Sequence, residues 1–134
     1  MAHVNLPHLL HRLHHHPEKH RRLFWLDGPS DECLAQIYAH ATGLLAASED
    51  EGFGLPLIEA AQHGLPILAR DIPVFREVAG PHAAYFNSHD PAALADAIRQ
   101  WVRSGFTPSS ETLPWLTWQQ SAANLQQILF NTRD

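Results

Sequence analysis

The sequence has a single cysteine, a single methionine and only two tyrosines, and several classes of protein are excluded by what it lacks. Cys33 has no partner for an internal disulfide, so a small cross-linked secreted scaffold is ruled out. It falls in a predicted helix, where a small buried side chain is its plain reading, and no chemistry is assigned to it. No apolar run approaches the ~18 residues of a membrane span. Positive charge is not in excess either. With histidines neutral the net charge is −5, so no basic field draws a phosphate backbone, and nucleic acid is not an expected partner. The N-terminal stretch is rich in His and Arg and lacks the apolar centre and small-residue end of a secretory signal, which leads to the expectation of a cytoplasmic location.

What is present reads as globular. Residues of the apolar class make up 45% of the 134-residue chain and charged residues 17%, enough to build one domain's core. From Leu23 onward, short apolar runs alternate with helical patterns, the signature of β-α-β units and a parallel sheet. Four strands are predicted: Leu23 to Leu26, Gly43 to Ala47, Pro66 to Ala69 and Ala84 to Phe86. Ser30 is read as the cap of a helix with Leu34, Ile37, Tyr38 and Ala41 on its apolar face, ended by Gly43. A second helix runs from near Gly54 to His63, with Gly64 in the left-handed position after it and Pro66 barring its continuation. Asp90 and Pro91 open a third, which sets Leu94, Ala97, Ile98 and Trp101 on one side. Leu6 to Leu13 also looks helical. The expected organisation is an N-terminal helix and connector over 1–22, a β/α core over 23–104, a linker over 105–114 and a last helix in 115–134, running from Trp115 to Phe130.

The chemistry is concentrated in Ser48-Glu-Asp-Glu-Gly-Phe-Gly-Leu-Pro-Leu-Ile-Glu59, which joins the second predicted strand to the second helix. In an open parallel sheet that junction lies at the carboxyl end of the strand, where ligands bind. Gly52 and Gly54 allow close backbone approach, and the amides of Phe53, Gly54 and Leu55 are spare donors at the positive end of a helix, suited to a diphosphate. Glu59 sits on a helix that is apolar on nearly every side. Buried there, its carboxylate needs donors such as sugar hydroxyls; alternatively it is a partly exposed Glu favoured by the helix dipole. Glu51 alone reads as a solvated acid beside Glu49 and Asp50.

Taken together, Glu51-Gly-Phe-Gly and Leu-Pro-Leu-Ile-Glu59 resemble the paired-glutamate motif of group 1 glycosyltransferases, retaining enzymes with two Rossmann-like domains. The likeness extends through Gly28-Pro-Ser-Asp-Glu-Cys-Leu34, Gly64-Leu-Pro-Ile-Leu-Ala69 and Asp71-Ile-Pro-Val-Phe-Arg-Glu-Val-Ala-Gly80. Spacing, order and flanks match, which makes the signal far more specific than a lone glycine-rich loop. The resemblance implies the nucleotide-sugar-binding domain, truncated at its N-terminus, with a partial Rossmann-like parallel α/β sheet. It implies Glu51 as the catalytic residue, in contact with hydroxyls of the transferred sugar, Glu59 on the ribose, and donor binding by Gly52, Phe53, Gly54 and Leu55. It implies no cofactor and no obligatory metal, and a nucleoside-diphosphate sugar as donor, GDP- or dTDP-linked. The loop from Asp71 is similar to loops in bacterial mannosyl- and rhamnosyltransferases of polysaccharide assembly.

By the same resemblance, the glycine-rich first strand, the diphosphate-clamping Arg and Lys, and the whole acceptor domain are missing. No turnover by the chain alone is therefore expected. The two missing strands would fall between Leu23–Leu26 and Gly43–Ala47, so either those strands pair directly or another copy of the chain fills the gap. Two rivals remain: a non-catalytic binding module that works with a partner, and a self-associating remnant. Histidines 3, 8, 11, 14, 15, 16 and 20 cluster, and His11 with His15 has metal-gripping spacing, but no Cys or carboxylate completes a ligand set and a solvated polar face is the plainer reading. Ser48 lacks the glycine-flanked turn of a hydrolase nucleophile. Glu77, in a Phe-Arg-Glu-Val run, is read as structural.

Overall fold

The computed structural model describes residues 6–130. His3 of the histidine cluster and the last four residues of the 115–134 segment lie outside them. The chain divides after Gln36 into two compact units.

In the first unit, helix α1 (Leu6–His14) ends in His and Arg side chains, cations that suit the negative end of a helix when protonated. His15 Nδ1 donates to the His11 carbonyl at 2.8 Å, and the two rings stack at 4.1 Å. The Glu18 carbonyl then gathers the amides of Arg21, Arg22 and Leu23 at 2.9–3.0 Å. Residues 23–26 form no strand. Only an isolated bridge joins Lys19 to Leu23, and Phe24, Trp25 and Leu26 are exposed. An apolar run of four residues becomes a strand only when a neighbour takes its hydrogen bonds and covers a face. The gap between 23–26 and 43–47 thus loses its premise. Ser30 caps the next helix, α2 (Asp31–His40), its Oγ accepting the Cys33 amide at 3.2 Å. Cys33 itself is exposed, contrary to the buried reading: Leu34 and Tyr38, four apart, hold the partly buried stripe of α2.

The second unit is built on a three-stranded parallel sheet of β1 (Leu44–Ala46), β2 (Ile67–Arg70) and β3 (Ala84–Phe86), in that spatial order. Leu44 lies opposite Ile67, and Leu68 opposite Ala84. All four residues of β2 are buried, as expected of a strand covered on both faces. Alternation divides them. Ile67 and Ala69 join Leu57, Ala60 and Phe75 of helices α3 (Leu55–Gln62) and α4 (Pro73–Ala79), whereas Leu68 joins Phe86 and Trp101, the latter from α5 (Pro91–Arg103). Each fully buried Leu, Ile or Phe contributes about 1.5–3 kcal/mol.

The helix signals act as read. Gly64 takes φ +65° after α3. Asp90 accepts the Ala92 and Ala93 amides at 3.2 and 3.3 Å to open α5. Gly43 has a steric role, since a Cβ there would stand 2.7 Å from the Trp101 ring. A short 3-10 turn, Gly80–His82, leads into β3. Beyond α5, the Ser, Thr and Pro stretch is tied to the core: Ser110 is fully buried, its hydroxyl donating to the Leu65 carbonyl at 2.6 Å, and Leu113 is buried as well. The last helix, α6 (Trp118–Phe130), starts three residues later than its pattern suggested and buries none of its residues.

Candidate functional site

Past Ala46 the chain leaves the carboxyl end of β1, runs through the acidic loop and turns into α3. The turn is made at Gly54, at φ +83° and buried against Phe75, whose ring carbon would lie 2.9 Å from any added Cβ. No side chain caps α3. The Gly54 carbonyl accepts the Leu57 amide at 3.0 Å, and Pro56 has no N–H to leave unpaired. The amides of Phe53, Gly54 and Leu55 find no acceptor among the described residues, so three donors stand at the positive end of the helix.

Both motif carboxylates are held by a hydroxyl. Tyr38, on α2, donates to Glu59 Oε2 at 2.8 Å. Ser48 donates to Glu51 Oε1 at 2.8 Å. Burial first, then the hydrogen bond to Glu59 and its negative charge, push the Tyr38 phenol well above its ordinary range. The Tyr38 ring stacks on His63 at 5.4 Å, and the His63 Nδ1 lies 2.9 Å from the Glu59 carbonyl. The loop carrying Glu51 is braced from β2. The buried Arg70 donates to the Ala47 and Ser88 carbonyls at 3.1 and 2.7 Å, with the Phe86 ring beneath its guanidinium. Glu49 and His89 meet across the same two loops at 3.0 Å.

A cavity of about 950 Å³ opens beside α3, walled by Phe53, Leu55, Glu59, Glu77, Trp115 and Trp118 among others. It brings together three of the residues singled out by sequence, Phe53, Leu55 and Glu59. Glu51, Gly52 and Gly54 are not part of its wall. Glu59 is half-buried there, intermediate between its two sequence readings. Sequence reasoning missed Tyr38 as a partner of Glu59, and Glu77, Trp115 and Trp118 as wall residues. The pattern of α2 placed Tyr38 on its inner face, but nothing local pairs it with a residue 21 positions on. Among the described residues no group of His, Cys, Asp and Glu is arranged to hold a metal ion, and no helix is long and apolar enough to cross a membrane.

Residues 7–112 match the family described as glycosyl transferases group 1. A serotype-specific mannosyltransferase of Escherichia coli is 50% identical over 128 residues, which cover 93% of this chain and 16% of that protein. An O-antigen chain mannosyltransferase of Salmonella typhimurium is 43% identical over 49% of this chain and 19% of its own length. An alpha-(1->4)-mannosyltransferase of Mycolicibacterium hassiacum is 33% identical over 72% of this chain and 26% of its own length. The chain thus spans about a sixth to a quarter of the relatives it matches. It belongs to the group 1 glycosyl transferases.

Proposed function

We propose that this group 1 glycosyl transferase chain supplies the donor-binding surface for a nucleoside-diphosphate sugar, and that the sugar is mannose, as the names of its relatives suggest. The observation that carries the reading is Glu59: a carboxylate on the wall of a large cavity that also exposes Phe53 and Leu55, beside unpaired amides at the start of α3. In this reading the diphosphate takes the amides of Phe53, Gly54 and Leu55, the ribose takes Glu59, and Glu51 meets hydroxyls of the transferred sugar. As the glycosidic bond to the diphosphate breaks, negative charge grows on the departing oxygen, and donors already aimed there stabilise it without reorganising. Anomeric configuration is retained and no metal takes part.

The 134-residue polypeptide by itself is expected not to turn over, because this chemistry also needs positive groups on the diphosphate and an acceptor site. We assign those to further parts of a larger protein or to a partner, and the setting to the cytoplasm. Titrating GDP, UDP and dTDP against the chain, while following its amide resonances, tests the site. Shifts at Phe53 to Leu55 that vanish in Glu59→Ala are expected; saturating nucleotide with no shift there would refute the assignment. A radiolabelled nucleotide-sugar assay that gives robust product from the chain alone would refute the expected inactivity.

A second reading, association with another copy or a partner, is favoured by α6, where Trp118, Leu125, Ile128, Leu129 and Phe130 are all more than half exposed. Light scattering that returns a strict monomer at high concentration would count against self-association.

A further inference from the structure

We infer that Tyr38 is a positioning residue for the donor site, setting the Glu59 carboxylate so that one oxygen faces ligand; the inference rests on the proposed nucleotide reading of Glu59. Tyr38 reaches Glu59 from α2, an element that contributes nothing to the cavity wall, while Glu59 itself lines the cavity. The 2.8 Å hydrogen bond occupies Oε2. Oε1 accepts from no donor among the described residues and keeps its lone pairs for a ligand. A glutamate has three side-chain torsions to order, and a carboxylate that must be ordered by its ligand loses affinity in doing so. The phenol does that ordering beforehand.

One further contact keeps Tyr38 in place. Its ring stacks on His63, one turn along α3 from Glu59, and His63 bonds back to the Glu59 carbonyl. The tyrosine therefore holds this end of α3 at two points, the His63 ring and the Glu59 carboxylate, and His63 links the two through the Glu59 carbonyl. Ser48 serves Glu51 differently, since it lies three residues away in the same loop and moves with it. Tyr38 ties Glu59 to a separate helix, so the orientation of the acid is referenced to α2 as well as to its own helix.

The test is a double-mutant cycle of Tyr38→Phe and Glu59→Gln in the full chain, with GDP as probe and binding followed by calorimetry. Phenylalanine keeps the ring stack and removes only the hydroxyl, so the fold is expected to survive, as amide spectra will show. If Tyr38 acts through Glu59, Tyr38→Phe weakens GDP binding by about tenfold in the Glu59 background and leaves it unchanged in the Glu59→Gln background. Equal losses in both backgrounds, or no loss in either, overturn the inference. If Glu59→Gln binds GDP as the parent does, the ribose role of Glu59 fails first and this inference falls with it. A spectroscopic arm reads the contact without nucleotide: the ring resonances of Tyr38, told apart from those of Tyr85 by their loss in Tyr38→Phe, shift in Glu59→Gln. Unshifted resonances overturn the inference while leaving the nucleotide reading standing.

Discussion

Helices α3 and α6 both carry strongly apolar sequences, yet they end in opposite situations. Helix α3 buries Leu57, Ala60 and Ala61 against β2 and Phe75, whereas α6 buries nothing and leaves Leu125, Ile128 and Leu129 more than half exposed. The difference is in what lies opposite. A parallel strand buried on both faces offers α3 a surface that water cannot reach, and no residue of α6 is buried against any neighbour among the described residues. Apolar content predicts that a helix wants a partner; it does not say that one is present. The α3 region should behave as a stability centre and α6 as an appendage.

Four substitutions would break or sharpen that contrast, all read by urea denaturation of the whole chain. Phe75→Ala, at a ring with 1% exposure, should cost about 3–5 kcal/mol by leaving a cavity where α3, α4 and Gly54 meet. Gly54→Ala should cost about 2 kcal/mol, because alanine resists the left-handed backbone there and its methyl meets Phe75. Ser110→Ala should cost about 1 kcal/mol through the loss of the bond to the Leu65 carbonyl, which would extend the stability centre into the segment after α5. Leu125→Gln should cost under about 0.5 kcal/mol. A loss at Leu125 as large as that at Phe75 would mean that α6 is covered in solution, and the contrast would collapse.

Much of the architecture was legible because its signals are local. The Asp90 cap, the left-handed Gly64 and three of the four strands depend on a few adjacent residues. So does the placing of the Glu51 to Glu59 segment at a strand-to-helix junction beyond the carboxyl end of β1. The failures share a cause. Residues 23–26 have the composition of a strand but form none, because pairing depends on a neighbour that local pattern cannot supply. Cys33 turned out exposed because the choice of which face of α2 is covered was made elsewhere in the fold. Ser110 and Leu113 lie in a run that reads as loop, and only the position of the Leu65 carbonyl explains why Ser110 is buried. At the candidate site, Glu77 and Trp115 reach the cavity wall from segments 18 and 56 residues from Glu59, separations over which no periodicity carries.

The Gly54 turn restricts how this loop can change over time. Two independent obstacles meet at one missing carbon: backbone rotation that disfavours any side chain, and an aromatic ring already filling the space. Shrinking Phe75 would clear the second and leave the first intact, so no single neighbouring change opens the position. Any lineage that replaced this glycine would first have to rebuild the path from β1 to α3, and with it the aim of the amides that follow.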